Sequence, residues 1–197
     1  MNTTELVYAL MQDRGGYLTT KDAQENGISN KTMQRIAEQG LIERAARGLY
    51  VNANVFLDSF YVMQYRCPKG FFSHETALFI HELSDREPLR LMMTIQSGAN
   101  SKLLTCDSVR FFYNSPKMMR LGVCEAKSPL GMTVKVFDLE RTLCDCLKNI
   151  DRLDRDLILS ALKRYAKSAK RDNARLLEYA AALNIRNTVY RYLEVLV

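Results

Sequence analysis

The sequence predicts an α+β fold in two parts: an N-terminal winged helix-turn-helix over residues 1–52, and a mixed α/β domain over 53–197 with a helical C-terminus. Three observations carry this. The chain is 197 residues long, enough for one small and one medium domain. Its first fifty residues alternate short amphipathic helices with glycine turns, and end in two short apolar strands around Arg47-Gly48. Beyond them, strand-like runs and helical stripes share one block, the pattern of α+β layering.

In the first part, Leu6, Val7, Leu10 and Met11 recur at helical spacing and are stopped by Gly15 and Gly16. Tyr17 and Leu18 read as extended. Thr19 caps a brief second helix, with Asp22 three residues on as a weak capping-box partner. Asn26 and Gly27 end it with a left-handed turn residue. Ser29 then caps a third helix reaching about Gly40. Two short helices about a tight glycine turn are the helix-turn-helix signature.

The third helix sorts its side chains by face. Met33, Ile36, Ala37 and Leu41 share one face and are expected in the core. Lys31, Arg35 and Glu38 centre the opposite face, flanked by Thr32 and Gln34. Lys, Arg, Gln and Thr near a helix N-terminus are side chains suited to reading base edges in a major groove. Leu41–Arg44 and Leu49–Val51 form a wing, and its Arg44 and Arg47 would reach a phosphate backbone or minor groove. Lys21 completes the expected DNA contacts. A winged helix used for protein contacts alone, its charged face merely solvated, is the competing reading.

In the second part, Leu57, Tyr61, Met63 and Tyr65 suggest a helix closed by Pro68 and Gly70. Another begins at Phe72–Leu78, with Ser73 as N-cap and Glu75 in the first turn. Strands are expected at Leu89–Ile95, Val109–Tyr113 and Met132–Phe137. Asp138 caps a helix with the stripe Leu139, Leu143, Leu147 and Ile150, and further helices reach the C-terminus.

Composition narrows the class. Apolar residues make up 47% and charged residues 25%, ordinary for a soluble globular chain. No secretory signal opens the chain and no apolar run approaches a membrane span, so neither membrane nor export is expected. The scattered cysteines (Cys67, Cys106, Cys124, Cys144 and Cys146) read as reduced thiols in a cytoplasm. The formal net charge is +6, yet residues 1–52 carry as many acidic as basic side chains. Within them the charge is polarised: 1–28 are net acidic, while Lys31, Arg35, Arg44 and Arg47 make 29–51 net basic. Any case for DNA therefore rests on local pattern, not bulk charge.

The chain resembles the AbiEi antitoxin family, of bacterial abortive-infection toxin–antitoxin operons that defend against phage. The resemblance spans nearly the whole chain. It is carried by Gly40-Leu41-Ile42 leading to Arg47-Gly48-Leu49-Tyr50, by Ser73-His74-Glu75-Thr76-Ala77-Leu78, and by the segment 136–145, Val-Phe-Asp-Leu-Glu-Arg-Thr-Leu-Cys-Asp. It implies a winged helix that represses its own operon; the DNA partner expected is a double-stranded operator arranged as an inverted repeat, met by two monomers or by a preformed dimer. It also implies that the C-terminal domain opposes a nucleotidyltransferase-like toxin, with or without binding it.

Apart from that likeness, the cluster nearest to chemistry is Asp138, Glu140, Arg141 and Asp145. An N-cap and an i,i+4 ion pair explain Asp138 and Arg141–Asp145, so these residues, with Ser73, His74 and Glu75, are expected to be structural or to serve antitoxicity. A carboxylate pair holding Mg²⁺ is the sharper alternative, but no glycine-rich phosphate loop accompanies it. His74 and His81 are mis-spaced for a zinc helix, and the thiols of Cys144 and Cys146 splay apart on theirs. No enzyme activity, cofactor or metal is expected. Lys163, Arg164, Lys167, Lys170, Arg171 and Arg175 stand against only Asp172, a run that suits flanking DNA or a solvated face. Two function classes follow: a regulator and antitoxin, or a one-component transcription factor whose C-terminal domain senses a small ligand.

Overall fold

The computed structural model describes residues 2–99 and 108–194 and forms two compact units, Met1–Arg66 and Cys67–Val197. Cys106 lies outside the described residues.

The first unit runs α1 (Thr3–Gln12), β1 (Tyr17–Thr19), α2 (Thr20–Glu25), α3 (Asn30–Glu38), β2 (Ile42–Ala46), β3 (Leu49–Asn52) and α4 (Ser59–Arg66). Local chemistry sets most of these boundaries. Thr19 Oγ1 accepts the Asp22 N–H at 3.0 Å, and the Thr19 hydroxyl donates to the Asp22 carboxylate. At the end of α2, Gly27 is left-handed (φ 75). The Gly27 and Ile28 N–H groups donate to the Gln24 and Ala23 carbonyls, a Schellman turn whose apolar partners Ile28 and Ala23 are both buried. Ser29 Oγ then accepts the Thr32 N–H at 3.1 Å.

The unit's sheet has the order β1-β3-β2, antiparallel throughout, with Ala46 opposite Leu49 so that Arg47 and Gly48 form the hairpin tip. Val7, Met11, Leu18, Ala23, Ile28, Met33, Ile36, Ile42 and Tyr50 make one core. Leu41 is not part of it: 36% of its surface is exposed. Gly40 (φ 73) turns the chain off the helical path, so the periodicity that placed Leu41 inward no longer applies.

The unit boundary falls at 66/67, where the sequence suggests 52/53, because α4 is fastened to the first unit. Tyr17 Oη accepts the Asp58 N–H at 2.7 Å, and the Tyr17 and Tyr61 rings lie 4.7 Å apart. The Tyr65 hydroxyl donates to the Gly48 carbonyl at 3.1 Å. Two hydrogen bonds and an aromatic pair together contribute about 3 kcal/mol, a large share of the stability of so small a unit. A 1–66 fragment is therefore expected to melt cooperatively, and a 1–52 fragment to melt broadly at lower temperature. Superimposable circular-dichroism melts would contradict this.

The second unit contains β4 (Phe71–Phe72), α5 (His74–Ile80), β5 (Leu91–Gln96), β6 (Val109–Asn114), β7 (Val123–Lys127), β8 (Thr133–Phe137), α6 (Leu139–Lys148), α7 (Arg155–Lys167), α8 (Asn173–Ala182) and α9 (Arg186–Glu194). Its mixed sheet has the order β6-β5-β4-β8-β7: β5–β6 and β4–β8 are parallel, and β4–β5 and β7–β8 antiparallel. Leu78, Leu143, Leu147, Ile158, Leu162, Leu176 and Val189 join α5 to the C-terminal helices in one apolar core. Both parts are thus α+β in sum, with a winged helix first and a helical C-terminus last.

Candidate nucleic-acid interface

The N-terminal half of α3 exposes the residues expected to read DNA. Lys31, Gln34 and Arg35 are exposed, Thr32 is half-buried, and Met33 and Ile36 are fully buried behind them. Ser29, Lys31, Thr32, Gln34, Arg35 and Glu38 line one shallow open concavity. Among the described residues, the Lys31, Gln34 and Arg35 side chains have no hydrogen bond or ion pair. Thr32 is different: its hydroxyl lies 2.9 Å from Ser29 Oγ, within the cap. Arginine and glutamine offer planar forks that match the major-groove edges of guanine and adenine, and lysine adds a mobile charge.

Arg44 and Arg47 on the wing are exposed, and neither forms an ion pair among the described residues. Lys21, exposed on α2, lies 3.8 Å from Glu25, one turn along the same helix. An exposed pair of this kind is weak and leaves the ammonium available.

The basic run of the second unit is less bare than its sequence suggests. Lys163, Arg164, Lys167, Lys170 and Arg171 are all exposed. Asp172 is not the only acid facing this run, however: the fold brings Asp85 onto Arg164 in a two-pronged ion pair. Arg175 pairs with Asp172 at 3.5 Å, and the Arg171 guanidinium donates to the Ala166 carbonyl. Lys163, Lys167 and Lys170 have no ion pair among the described residues.

The other motif residues converge on a buried polar centre. Asp138 Oδ1 caps α6 by accepting the Arg141 N–H at 2.8 Å, and its Oδ2 accepts the Tyr179 hydroxyl at 3.0 Å. Glu140 is buried, and its Oε1 accepts the Tyr165 hydroxyl at 2.9 Å and the Asp172 N–H at 3.1 Å. Arg141 is 0% exposed. Its guanidinium donates to Asp145 at 3.0 Å and to the Met118 and Leu121 carbonyls at 2.8 and 3.0 Å, and lies 4.5 Å over the Phe137 ring. Burial pushes the Asp145 carboxyl above the usual carboxylate range, and Arg141 only partly offsets this. Gly122 makes room for the arrangement. A Cβ there would stand 2.6 Å from Arg141 Cβ, and its φ of 70 suits glycine.

Ser73 does not cap α5, contrary to its sequence position: its side chain makes no cap bond. Ser73 Oγ instead accepts the Thr94 hydroxyl at 2.8 Å and lies 2.9 Å from His74 Nδ1. His74 is left-handed (φ 53), buried, and stacked on Phe112 at 3.6 Å. Its Nε2 accepts from the Asn149 amide at 3.2 Å, so Nδ1 carries the proton and the ring is neutral. Burial, with Arg110 and Arg141 nearby, pushes this imidazole down to about 3. Glu75 accepts the Asp154 N–H at 2.9 Å, tying α5 to the start of α7. His81 plays a separate part, its Nε2–H donating to the Phe137 carbonyl at 2.7 Å. Cys144 and Cys146 are buried and their thiols pushed up, so neither is nucleophilic. Among the described residues, no group of three or more His, Cys, Asp or Glu is placed to hold a metal ion, and no helix is long and apolar enough to cross a membrane.

Sequence reasoning missed Asn149, Tyr165, Gly122 and Tyr65. Each acts on a partner distant in sequence, and only Gly122 carried any local signal, as a turn glycine.

Helices α1, α2 and α3, a three-stranded sheet and an arginine-tipped hairpin make a winged helix-turn-helix within the first unit. Residues 5–53 match the family described as transcriptional regulator, AbiEi antitoxin, so the AbiEi-type resemblance is shown over that segment. The motifs at 73–78 and 136–145 lie outside the matched residues. No curated protein sequence matches the chain. Among solved structures, the crystal structure of the RV2827C protein from Mycobacterium tuberculosis is similar over 100% of this chain and 81% of its own, with a TM-score of 0.63 and 12% identity. That is a likeness of fold.

Proposed function

We propose that this chain is the antitoxin and transcriptional repressor of an abortive-infection operon. Its winged helix binds operator DNA arranged as an inverted repeat, and its second unit opposes a nucleotidyltransferase-like toxin. The observation that supports the DNA arm best is the outer face of α3: Lys31, Gln34 and Arg35 are exposed and unengaged, on a helix whose own fold is complete without them. Arg44 and Arg47 supply phosphate contacts from the wing, with Lys21 from α2. Lys163, Lys167 and Lys170 extend the phosphate contact to flanking DNA, aided by Arg164 and Arg171. In the second unit, Asp138, Glu140, Arg141, Asp145, Ser73, His74 and Glu75 act through the fold, since their polar atoms are turned on each other and on backbone.

One variant separates the two arms. Replacing Lys31 and Arg35 together by alanine removes two base contacts, each worth about 1–3 kcal/mol, and should relax specificity at those positions. In a gel-shift titration the double variant is expected to lose most operator affinity, while still rescuing cells from the co-expressed toxin. Undiminished affinity in the folded variant overturns the recognition-helix assignment, and loss of rescue alongside lost binding overturns the division of labour.

A further inference from the structure

We propose that Tyr65, on α4, is a positioning residue for the wing, holding the backbone from which Arg47 reaches DNA; this rests on the DNA-binding reading above. The Gly48 carbonyl, one residue beyond Arg47, accepts from the Thr20 N–H at 2.9 Å, the Tyr65 hydroxyl at 3.1 Å and the Thr20 hydroxyl at 3.5 Å. Two helices far apart in sequence, α2 and α4, thus fasten one carbonyl. The approach is close: a Cβ on Gly48 would meet Tyr65 Oη at 3.1 Å and Thr20 Oγ1 at 3.2 Å.

A two-residue hairpin tip is ordinarily among the most mobile parts of a small domain. The Arg47 side chain is exposed and has no ion pair among the described residues, so nothing at its own tip fixes where the guanidinium lies. Its direction is set by the backbone at Arg47-Gly48, and that backbone is held at the Gly48 carbonyl. Thr20 ties the tip to the first residue of the helix-turn-helix proper. Tyr65 ties it to α4, giving the tip a second anchor. A tip ordered before binding loses less freedom when it meets a phosphate, and so keeps more of the contact energy. This also assigns a task to α4, which follows the wing in sequence and contributes no base-reading residue.

The test uses the full chain with Tyr65→Phe, Arg47→Ala, and both together, titrated against a duplex spanning the promoter of its own gene over a salt series. Tyr65→Phe removes one hydroxyl and keeps the ring, and thermal melting checks that the fold survives. Losing one phosphate contact lowers the salt slope by about one, so the affinity lost on going from about 50 to 200 mM salt shrinks about threefold. Tyr65→Phe is expected to show most of that reduction, and to add nothing once Arg47 is alanine. Thr20→Val should act in the same direction. Hydrogen exchange across residues 44–49 is expected to quicken in Tyr65→Phe without DNA present. Parental salt slope and exchange rates in Tyr65→Phe, or an effect that adds in full to Arg47→Ala, overturns the proposal alone. A parent chain that fails to bind the duplex overturns the DNA reading along with it.

Discussion

Arg141→Ala is expected to unfold the second unit while leaving the first folded. The side chain is wholly buried and satisfies Asp145 together with the carbonyls of Met118 and Leu121. Removing it strands a buried carboxylate and two backbone acceptors, a loss of about 3–5 kcal/mol. That approaches the whole stability of an ordinary domain. Lysine is no substitute, because one ammonium cannot reproduce the planar fork. The informative control is Arg141→Met with Asp145→Leu, which removes both charges and should recover much of the loss. Urea denaturation of the full chain, followed by hydrogen exchange in each unit, reads the outcome. A single Arg141→Ala variant as stable as its parent would show that the network is ornamental.

The second large effect is acid lability centred on His74. Its folded-state value of about 3 lies well below the 6.5 of an unperturbed imidazole. Between those limits the unfolded chain binds a proton that the folded chain refuses, so stability falls as pH falls through this window. The slope approaches about 1.4 kcal/mol per pH unit once the unfolded imidazole is mostly protonated, a loss of about 2 kcal/mol between pH 6.5 and 4.5. Asp138 and Asp145, raised by burial, act in the opposite sense and favour the folded form as they protonate. Comparison with His74→Asn isolates the histidine, since asparagine tolerates the left-handed backbone at φ 53. The variant should be less stable at neutral pH, for want of the Phe112 stack, yet show a shallower acid limb. Parallel acid limbs for the two proteins would refute the assignment.

What was legible in the sequence was what is settled locally. Thr19, Gly27 and Ser29 each act within a few residues of themselves and Gly48 turns the hairpin it sits in, and the helix-turn-helix and wing followed from them. Asp138 as a cap and Arg141–Asp145 as an ion pair were legible for the same reason. The errors share a different character. The attachment of α4 depends on Tyr17 meeting Asp58 and Gly48 meeting Tyr65, pairings that no periodicity encodes. β4 is too short to show a pattern, and β7, Val-Cys-Glu-Ala-Lys, consists largely of residues with little preference for strands. Ser73 has the position and chemistry of a cap, but Thr94 and His74 take its hydroxyl. The paired state of Arg164 was hidden because Asp85 lies far away along the chain.

The corner between α2 and α3 has a consequence for how such a protein changes over generations. Its geometry is fixed by backbone bonds from Gly27 and Ile28 and by the Ser29 cap. Lys31, Gln34 and Arg35 contribute nothing to it. Mutation at those three sites is therefore nearly free of penalty to folding, and each new combination arrives on a helix whose corner is already set. On the DNA-binding reading proposed above, a duplicated operon can drift to a new operator through these positions alone, and two copies in one genome can become insulated from each other without passing through an unfolded ancestor.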